Sequence, residues 1–546
     1  MITIDNLSFR YRANSPKILD GICLNIGKGE RVLIAGKNGA GKTTLSKIIS
    51  GLIPRVESGF IEGRYNYRDR PVSEYPPKEF VREIAVLFQD FEAQIVSTRV
   101  REELVFYPMN TGLPYFKALE NAGKLCAVFK AEQLFDREID GLSGGEKQKT
   151  ALLSLLTASP KMLILDEPFT DVDPASQALI LDFLWHGGYR EGIIVFDQSL
   201  DYHAFFNRII LIGNGKILFD GDHKVIADSV LLSQAGLETS GIFKAVDCGY
   251  TQDAGAILRH IRENHVFDDD AYQEVISKPQ VSGETIVEVS SLSFKFRESG
   301  MTLKNIDLKI QRGDFVTVLG ANGSGKTTLM KLIAGILDAR EGDILYQGQN
   351  LKEFPVTGKV GYVYQNPDNQ IFAETVFDET AFILRMRGMA EAQIQDRVDT
   401  ILTNMGLFDR KQADPFSLPK GDRQKVACAA ILAGEPDLII LDEPTTGLDY
   451  PSLKGLMESV AILNRNGKTI IIITHSMETA ANYGNKILAL SQGEIFYYGD
   501  KRKFFGDERL LSKGKARRTE IMEISLKLNG KLLLNETEFL MCWKKR

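Results

Sequence analysis

The sequence predicts an α/β protein that consists of two similar domains in tandem, each with a mostly parallel β-sheet. Apolar runs such as RVLIAG and FVTVLG lead into glycine-rich turns and amphipathic segments, which is typical of a buried strand followed by a helix. The runs MLILDE and LIILDE are again apolar and end in acidic residues. Because these patterns alternate along the chain and occur twice, we expect two α/β domains of the same kind.

An internal repeat organises the chain. Four segments recur in the same order and at nearly the same spacing: 2–12 as 287–297, 36–51 as 320–335, 87–100 as 363–376, and 162–174 as 438–450. The repeat predicts a first domain over residues 1–224, an acidic linker over 225–284, a second domain over 285–507 and a C-terminal extension over 508–546.

Composition and charge narrow the class of protein. The chain has 546 residues, with 66 Lys and Arg against 72 Asp and Glu, so its net charge is −6. This balance gives no sign of the basic footprint of nucleic-acid binding, and no nucleic-acid partner is expected. The five cysteines are isolated, which argues against a zinc or disulfide framework and fits a reducing compartment. The basic residues near the C-terminus predict either a solvated tail or a contact with anionic lipid or a partner.

The sequence also bears on membrane insertion. No apolar run approaches the ~18 residues that a spanning helix needs, and the N-terminus has no signal pattern. We therefore expect that the chain does not cross a membrane by itself.

The pattern GxxxxGK[ST], which forms a phosphate-binding loop, occurs in both repeats. Its glycines let backbone N–H groups surround the β-phosphate, and the following helix adds the positive end of its dipole. Lys42 and Lys326 are expected to reach the β- and γ-phosphate oxygens, and the hydroxyls of Thr43 and Thr327 to bind Mg²⁺. The predicted ATP-binding residues of the two loops are Gly36, Asn38, Gly39, Gly41, Lys42, Thr43 and Thr44, and Gly320, Asn322, Gly323, Ser324, Gly325, Lys326, Thr327 and Thr328.

Paired acids end a second apolar strand in each repeat, as Asp166-Glu167 and Asp442-Glu443. A carboxylate at the carboxyl end of a buried strand can hold the magnesium shell, so Asp166 and Asp442 are predicted to help bind ATP. The carboxylate that follows can polarise an attacking water, which predicts Glu167 and Glu443 as catalytic residues.

The segment LSGGE at residues 142–146 precedes the first acid-bearing strand and resembles the signature motif of ATP-binding-cassette (ABC) proteins. The resemblance covers both repeats and implies P-loop NTPase domains of the ABC type, paired head to tail as a pseudo-dimer. In such a pair each ATP lies between the phosphate loop of one domain and the signature of the other. The resemblance further implies that Ser143, Gly144, Gly145 and Glu146 of the signature bind ATP, and that Tyr11 and Phe296 stack on its ring. It places Gln89 and Gln365 in the Mg²⁺ shell and implies a catalytic role for Gln365 and for His475.

The two repeats depart from the ABC pattern at different places. His475 matches the family's histidine in the second repeat, whereas the first repeat has Gln198 there. Glutamine cannot be a cation or exchange protons near pH 7. The signature LSGGE of the first repeat becomes LPKGD in the second, where Pro419 loses a hydroxyl and a backbone donor and Lys420 blocks close backbone approach. Head-to-tail pairing would place both departures in one site, which predicts one degenerate and one competent ATP site.

The ABC resemblance leaves three classes of protein open. An importer ATPase of the energy-coupling-factor type, which serves vitamins or metal ions, is favoured because QNPDNQIFAETVFDETAF at residues 365–382 resembles that group. A tandem sugar-importer ATPase also has fused cassettes but does not match this segment. A soluble ABC protein of translation or resistance usually has a basic helical linker, whereas the linker here is acidic.

The favoured class implies particular partners and a location. ATP and Mg²⁺ are the expected cofactors. The partners are a membrane scaffold subunit, of the T type, and a membrane subunit that binds the substrate, while the fused cassettes pair within one chain. The resemblance places the chain peripherally at the cytoplasmic face of the bacterial plasma membrane. No residue in the sequence identifies the cargo.

Overall fold

The computed structural model describes residues 1–169, 172, 174–187, 192–200, 202–237, 254–277, 283–296, 301–354, 358–445 and 447–546. The chain divides into two compact units, Met1–Gln252 and Asp253–Arg546, which are described separately. Among the described residues, no helix combines the length and the apolar character that crossing a bilayer requires.

The first unit contains an antiparallel sheet and a six-stranded sheet. Its strands are β1 Ile2–Arg10, β2 Leu19–Ile26, β3 Arg31–Ala35, β4 Phe60–Tyr67, β5 Arg70–Pro71, β6 Ile84–Leu87, β7 Met162–Asp166, β8 Gly192–Asp197, β9 Arg208–Gly213 and β10 Lys216–Gly221. Its helices are α1 Lys42–Ile49, α2 Leu52–Arg55, α3 Pro77–Glu83, α4 Val100–Asn110, α5 Tyr115–Val128, α6 Gly144–Thr157, α7 Pro174–Asp182, followed by the π-helical turn Phe183–Gly187, and α8 Ser229–Ala235.

The six-stranded sheet of the first unit has the order β10-β9-β3-β8-β7-β6. Its strands from β9 to β6 are parallel, and β10 joins as an antiparallel edge strand. Every residue of β7 and β8 is buried, as expected of parallel strands that are covered on both faces. The core lies between this sheet and α1, where Leu45 and Ile48 pack with Ile34 and Ile164.

The second unit repeats this plan. Its strands are β11 His265–Phe267, β12 Thr285–Lys295, β13 Met301–Gln311, β14 Phe315–Leu319, β15 Glu341–Tyr346, β16 Gln349–Asn350, β17 Val360–Val363, β18 Leu438–Asp442, β19 Thr469–Ile473, β20 Lys486–Ser491, β21 Glu494–Asp500 and β22 Trp543–Lys545. Its helices are α9 Ala254–Asn264, α10 Asp269–Ile276, α11 Lys326–Ile333, α12 Val376–Met386, α13 Glu391–Asn404, α14 Lys420–Ala433, α15 Tyr450–Arg465, α16 Met477–Asn482, α17 Lys501–Gly506, α18 Glu508–Gly514, α19 Glu520–Asn529 and α20 Glu536–Cys542. The sheet order β17-β18-β19-β14-β20-β21 matches that of the first unit, so the predicted tandem α/β architecture is confirmed.

The predicted linker, 225–284, does not form one element. Its beginning folds with the first unit as α8, where the carbonyl oxygen of Ala235 accepts a hydrogen bond from the N–H of Lys37 at 2.8 Å. Its later part, 254–276, folds with the second unit as α9, β11 and α10. Residues 238–253 and 278–282 of the predicted linker lie outside the described residues. The exact domain boundaries therefore stay a prediction.

Residues 254–276 and the C-terminal residues 520–545 form one small subdomain, which we call the clasp. Strand β11 pairs antiparallel with β22, so that Phe267 lies opposite Trp543, and their rings meet edge to face at 5.2 Å. Lys544 forms an ion pair with Asp268 at 2.6 Å. The sequence left open a solvated tail or a contact with anionic lipid or a partner for these basic residues. Lys544 keeps a largely exposed side chain and pairs with the acidic linker of its own chain.

Replacing Trp543 with alanine should open the clasp. Trp543 is buried against Phe267 and also stacks on Phe539 at 6.2 Å. Removing a buried aromatic side chain costs ~3–5 kcal/mol. Exchange of the Asp268 amide hydrogen, which bonds to the carbonyl oxygen of Cys542, should therefore accelerate by about two to four orders of magnitude. Hydrogen exchange measured by mass spectrometry on residues 254–276 checks this result. Val266→Ala on the same strand is the control, because the Val266 side chain is half exposed; equal exchange in the two variants would contradict the prediction.

Candidate functional site

The predicted site residues gather at the carboxyl edge of each six-stranded sheet. In the first repeat, β8 lies between β3 and β7, so the segments that follow these three parallel strands are neighbours. In the second repeat, β19 lies in the same way between β14 and β18. Ligands of α/β proteins bind in crevices at this edge of the sheet. The topology therefore brings the phosphate loop, the paired acids and the residue at the histidine position together in each repeat.

The phosphate loops follow β3 and β14 and lead directly into α1 and α11. Gly41 has φ +102° and Gly325 has φ +99°, and each precedes the first residue of its helix. A Cβ on either glycine would meet a leucine side chain at 2.7 Å, Leu19 or Leu303. These positions therefore require glycine both for backbone conformation and for space. The other predicted loop residues, Gly36, Asn38, Gly39, Thr43 and Thr44, and Gly320, Asn322, Gly323, Ser324, Thr327 and Thr328, lie in the same two turns or in the first turns of the helices.

Both loop lysines are buried and fold back over their own loops. Lys42 Nζ donates to the carbonyl oxygens of Gly36 at 2.6 Å and Lys37 at 3.1 Å. Lys326 Nζ donates to Gly320 and Ala321 at 2.8 and 3.1 Å. Each ammonium group is thus held where the loop carbonyls and the helix N-terminus converge. A phosphate oxygen would be a stronger, charge-assisted partner at this point.

The two predicted catalytic glutamates have the same strained backbone. Glu167 and Glu443 both adopt φ +48°, a left-handed conformation that non-glycine residues rarely take. The N–H of each is fixed by the strand beside it, Glu167 to the carbonyl oxygen of Phe196 and Glu443 to that of Ile473. Such strain persists where surrounding structure imposes it, and it is common at functional sites.

The two glutamines predicted for the Mg²⁺ shell, which we call the sensing glutamines, contact these glutamates. Gln89 Nε2 donates to Glu167 Oε2 at 2.9 Å, and Gln365 Nε2 donates to Glu443 Oε2 at 3.1 Å. In the second repeat, His475 Nε2 also lies 3.2 Å from Glu443 Oε1. Burial tends to raise the pKa of Glu443, but His475 and Lys326 outweigh burial and leave that pKa below its usual value. Glu443 is therefore held as a carboxylate, the form that orients a water.

The first repeat has a different environment at the histidine position. The side-chain oxygen of Gln198 is buried and has no hydrogen-bond partner among the described residues. Asp197, which stands where the second repeat has Thr474, accepts hydrogen bonds from the N–H groups of Gln198 and Ser199 and from the hydroxyl of Tyr202. Burial, and then the charge of Glu167, raise the pKa of Asp197 well above its usual value. Sequence reasoning missed Asp197, although the replacement of threonine by an acid after the strand was a visible signal.

The two aspartates predicted to hold the magnesium shell also differ between the repeats. Asp442 accepts hydrogen bonds from Thr327 Oγ1 at 3.2 Å and from the Tyr362 hydroxyl at 2.8 Å, and burial raises its pKa. Both carboxylate oxygens of Asp166 are buried and have no hydrogen-bond partner among the described residues. Burial, with a contribution from Glu167, raises the pKa of Asp166 to about 7.

These groups fit a magnesium ion. A buried carboxylate beside a threonine hydroxyl and a glutamine amide offers the oxygen ligands that Mg²⁺ prefers. The oxygens of Asp166 have no hydrogen-bond partner among the described residues, whereas those of Asp442 accept from two hydroxyls. Thr43, Gln89 and Asp166 would hold the ion in the first repeat, and Thr327, Gln365 and Asp442 in the second. Bound there, the ion would neutralise charge on the phosphates.

The signature segments begin α6 and α14. Ser143 caps α6 in a capping box with Glu146: Ser143 Oγ accepts from the Glu146 N–H, and the Glu146 carboxylate accepts from the Ser143 N–H at 2.9 Å. Gly144 and Gly145 form the first turn. In the second repeat Pro419 is the N-cap and its side chain makes no capping bond, while Lys420 is exposed. The helix thus begins at the same place in both repeats with different chemistry at its N-terminus.

The predicted ring-stacking residues are partly exposed. Tyr11 lies edge to face with Phe9 at 4.8 Å, and its hydroxyl is 3.4 Å from Thr44 Oγ1 at the start of α1. Phe296 lies edge to face with Phe294 at 4.9 Å. Tyr11 is therefore close to the phosphate loop, and both rings keep an exposed face.

Comparisons with known proteins agree with this geometry. The family described as ABC transporter matches residues 19–170 and 303–446. A protein of Caldanaerobacter subterraneus subsp. tengcongensis, described as an ABC transporter ATP-binding protein, is 36% identical over 566 aligned residues that span 100% of this chain and 99% of the relative.

Two solved structures each resemble part of the chain. The structure of cbiO1 from Clostridium perfringens, described as part of the ABC transporter complex cbiONQ, is 30% identical and covers 42% of this chain and 94% of its own, with a TM-score of 0.38. A dimeric ATP-binding cassette in a post-hydrolysis state, bound to ADP and phosphate, is 28% identical and covers 39% of this chain and 98% of its own, with a TM-score of 0.37.

Proposed function

The chain belongs to the ABC transporter family, as an ATP-hydrolysing subunit that works with membrane subunits, and from this premise we propose that it drives an importer of the energy-coupling-factor type. Its cargo would be a vitamin or a metal ion. The membrane partners would be a T-type scaffold subunit and a substrate-binding subunit. The chain would act peripherally at the cytoplasmic face of the bacterial plasma membrane.

The observation that carries this proposal is an exposed aromatic surface next to the sensing glutamine of the second repeat. Phe372 is 61% exposed and meets Phe382 edge to face at 4.8 Å, and Met386 beside them on α12 is 70% exposed. Exposed apolar groups that cluster in this way are typical of a protein interaction site. We assign this surface, Phe372, Phe382 and Met386, to the helix of a membrane scaffold and call it the docking surface.

The docking surface is rigidly connected to the ATP site. Gln370 lies between Gln365 and Phe372, and it bonds to the N–H of Tyr364 at 3.2 Å and the carbonyl oxygen of Ala427 at 2.8 Å. The buried carboxylate of Glu379 accepts the N–H groups of Phe372 and Ala373 at 3.0 and 2.8 Å. A movement of Gln365 at the nucleotide would therefore be transmitted to Phe372 through a loop that is fixed at several points.

The corresponding segment of the first repeat has similar loop contacts, which support a docking role there as well. Gln94 Nε2 donates to the carbonyl oxygen of Val86 at 2.8 Å, and the carboxylate of Glu103 accepts the N–H groups of Val96 and Ser97. Val96 and Phe106 are exposed where the second repeat exposes Phe372 and Phe382. We propose that this second, less aromatic surface receives a different part of the scaffold.

The proposed mechanism is a cycle of closing and opening of the two cassettes. In the head-to-tail pairing that the family resemblance implies, ATP would bind best to the closed pair and shift the population toward it. Glu443 would orient water at the site completed by Ser143 of the first repeat, and hydrolysis there would let the pair reopen. The site of Lys42, completed by Pro419 and Lys420, would retain ATP with little turnover.

A charged substitution in the docking surface tests the proposal. Phe372→Glu should weaken co-purification with the membrane scaffold at least about 30-fold, the equivalent of ~2 kcal/mol for an interface hot spot. The ATPase activity of the isolated chain should remain, because the exposed Phe372 ring contacts Phe382 and is not one of the predicted ATP-site residues. Affinity purification of the tagged chain with its co-expressed membrane subunits measures the effect.

The control is Phe354→Glu, which adds the same charge at a half-exposed phenylalanine in the turns that follow the short β16 strand. Equal recovery of scaffold with the two variants would remove the support for the docking surface.

A further inference from the structure

Tyr362 lies in β17, next to the strand that ends in the magnesium aspartate of the second repeat. The register places Tyr362 opposite Ile440 in β18, and its hydroxyl reaches Asp442 Oδ2 at 2.8 Å. The other oxygen of Asp442 accepts from Thr327 at 3.2 Å. Both carboxylate oxygens of Asp442 are therefore fixed by separate hydroxyl donors.

The first repeat provides an internal comparison. Val86 in β6 lies opposite Ile164 in β7, the register position that Tyr362 occupies in the second repeat. A valine has no donor, and the oxygens of Asp166 have no hydrogen-bond partner among the described residues. The same strand pair folds with either residue, so the fold itself does not require a hydroxyl at this position.

Burying the Tyr362 hydroxyl would destabilise the fold if the hydroxyl had no hydrogen-bond acceptor. Tyr362 is almost completely buried, and a buried hydroxyl that lacks a partner costs ~1–3 kcal/mol. The phenol hydroxyl is a hydrogen-bond donor, and Asp442 Oδ2 is its acceptor at 2.8 Å. Groups that orient a metal ligand typically change metal affinity about 10–100-fold when they are removed.

We propose that Tyr362 is a positioning residue of the competent ATP site, which fixes Asp442 in the orientation that receives the magnesium shell. The valine at position 86 is then a further defect of the first site, in addition to Gln198 and the altered signature. This inference rests on the proposed assignment of Asp442 to the magnesium shell.

Binding of Mn²⁺, a magnesium substitute that electron paramagnetic resonance detects, tests the inference without turnover. The full chain carries Lys42→Ala, which disables the first phosphate loop, and is saturated with a non-hydrolysable ATP analogue. In this background Tyr362→Phe should weaken Mn²⁺ binding about tenfold, and Asp442→Asn should weaken it at least as much. Tyr364→Phe is the matched control, because the Tyr364 ring contacts Tyr362 at 5.0 Å but has no hydrogen bond to Asp442.

The outcomes separate the inference from the assignment beneath it. Unchanged Mn²⁺ affinity in Tyr362→Phe, together with a loss in Asp442→Asn, would overturn the role of Tyr362 alone. Unchanged affinity in both variants would overturn the assignment of Asp442 and the inference with it. If Tyr362→Phe lowers only the melting temperature and binds Mn²⁺ normally, the hydroxyl is a packing group and the proposal fails.

Discussion

Replacing Glu443 with glutamine is expected to lower steady-state ATP turnover by about 10²–10⁴-fold, the usual contribution of a general base. Glu443 lies 3.2 Å from His475 and 3.1 Å from Gln365, and its lowered pKa keeps it ionised. The same replacement at Glu167 should reduce turnover by less than about threefold, because the first repeat has Gln198 at the histidine position and its site is proposed to turn over little ATP.

Steady-state phosphate release from the purified chain measures both variants side by side. ATP binding, measured by equilibrium dialysis, should remain in each of them, because glutamine conserves the size of the side chain and the phosphate loops are untouched. Equal losses of turnover would mean that both sites hydrolyse ATP. The asymmetric assignment of a competent and a degenerate site would then have to be abandoned.

Sequence reasoning located those site residues whose position in the fold is determined by their neighbours in the chain. Gly41 and Gly325 must adopt a left-handed conformation before a helix, and such a glycine is recognisable from the residues next to it in the sequence. The paired acids were equally visible because they end strands that are wholly buried. Gln89 and Gln365 were identified through the family resemblance, but their hydrogen bonds to the glutamates were not predicted.

The features that sequence reasoning missed depend on contacts across the fold. The pairing of Phe267 with Trp543 joins three-residue strands that are far apart in the chain. Strands this short have no periodic pattern from which they could be predicted. The left-handed backbone of Glu167 and Glu443 is imposed by the neighbouring strands and not by the glutamate itself. Tyr362 and Val86 differ at one position of otherwise similar strands, and only the register shows that this position faces the magnesium aspartate.

A further sequence similarity joins the ends of the two repeats. Residues 231–238, LLSQAGLE, resemble residues 510–517, LLSKGKAR, which extends the internal repeat beyond position 224. The structure gives both segments the same form: α8 and α18 end at left-handed residues, Gly236 with φ +70° and Lys515 with φ +50°. Each repeat therefore closes with an equivalent helix. The clasp combines a segment that follows α8 in the chain, 254–276, with one that follows α18, 520–545.

Introducing the altered signature of the second repeat into the first repeat should also cause a large loss of ATP turnover. The double substitution Ser143→Pro and Gly144→Lys gives α6 the N-terminus that α14 has in the native chain. It removes the Ser143 hydroxyl and N–H, and loss of a preorganised transition-state donor costs ~2.7–4 kcal/mol, or about 10²–10³-fold in turnover. Because the proposed pairing places LSGGE against the phosphate loop of Lys326, this loss should fall on the competent site.

The reverse exchange, Pro419→Ser with Lys420→Gly, should change turnover by less than about threefold, because restoring one donor group leaves the first site without its histidine. Steady-state ATPase assays compare the two double variants. Failure to fold is not expected of the first, since α14 already begins with Pro419 and Lys420 and continues for a full 14 residues; circular dichroism verifies it. A large gain of turnover in the reverse exchange and no loss in the first would mean that each signature serves the phosphate loop of its own repeat, which contradicts head-to-tail pairing.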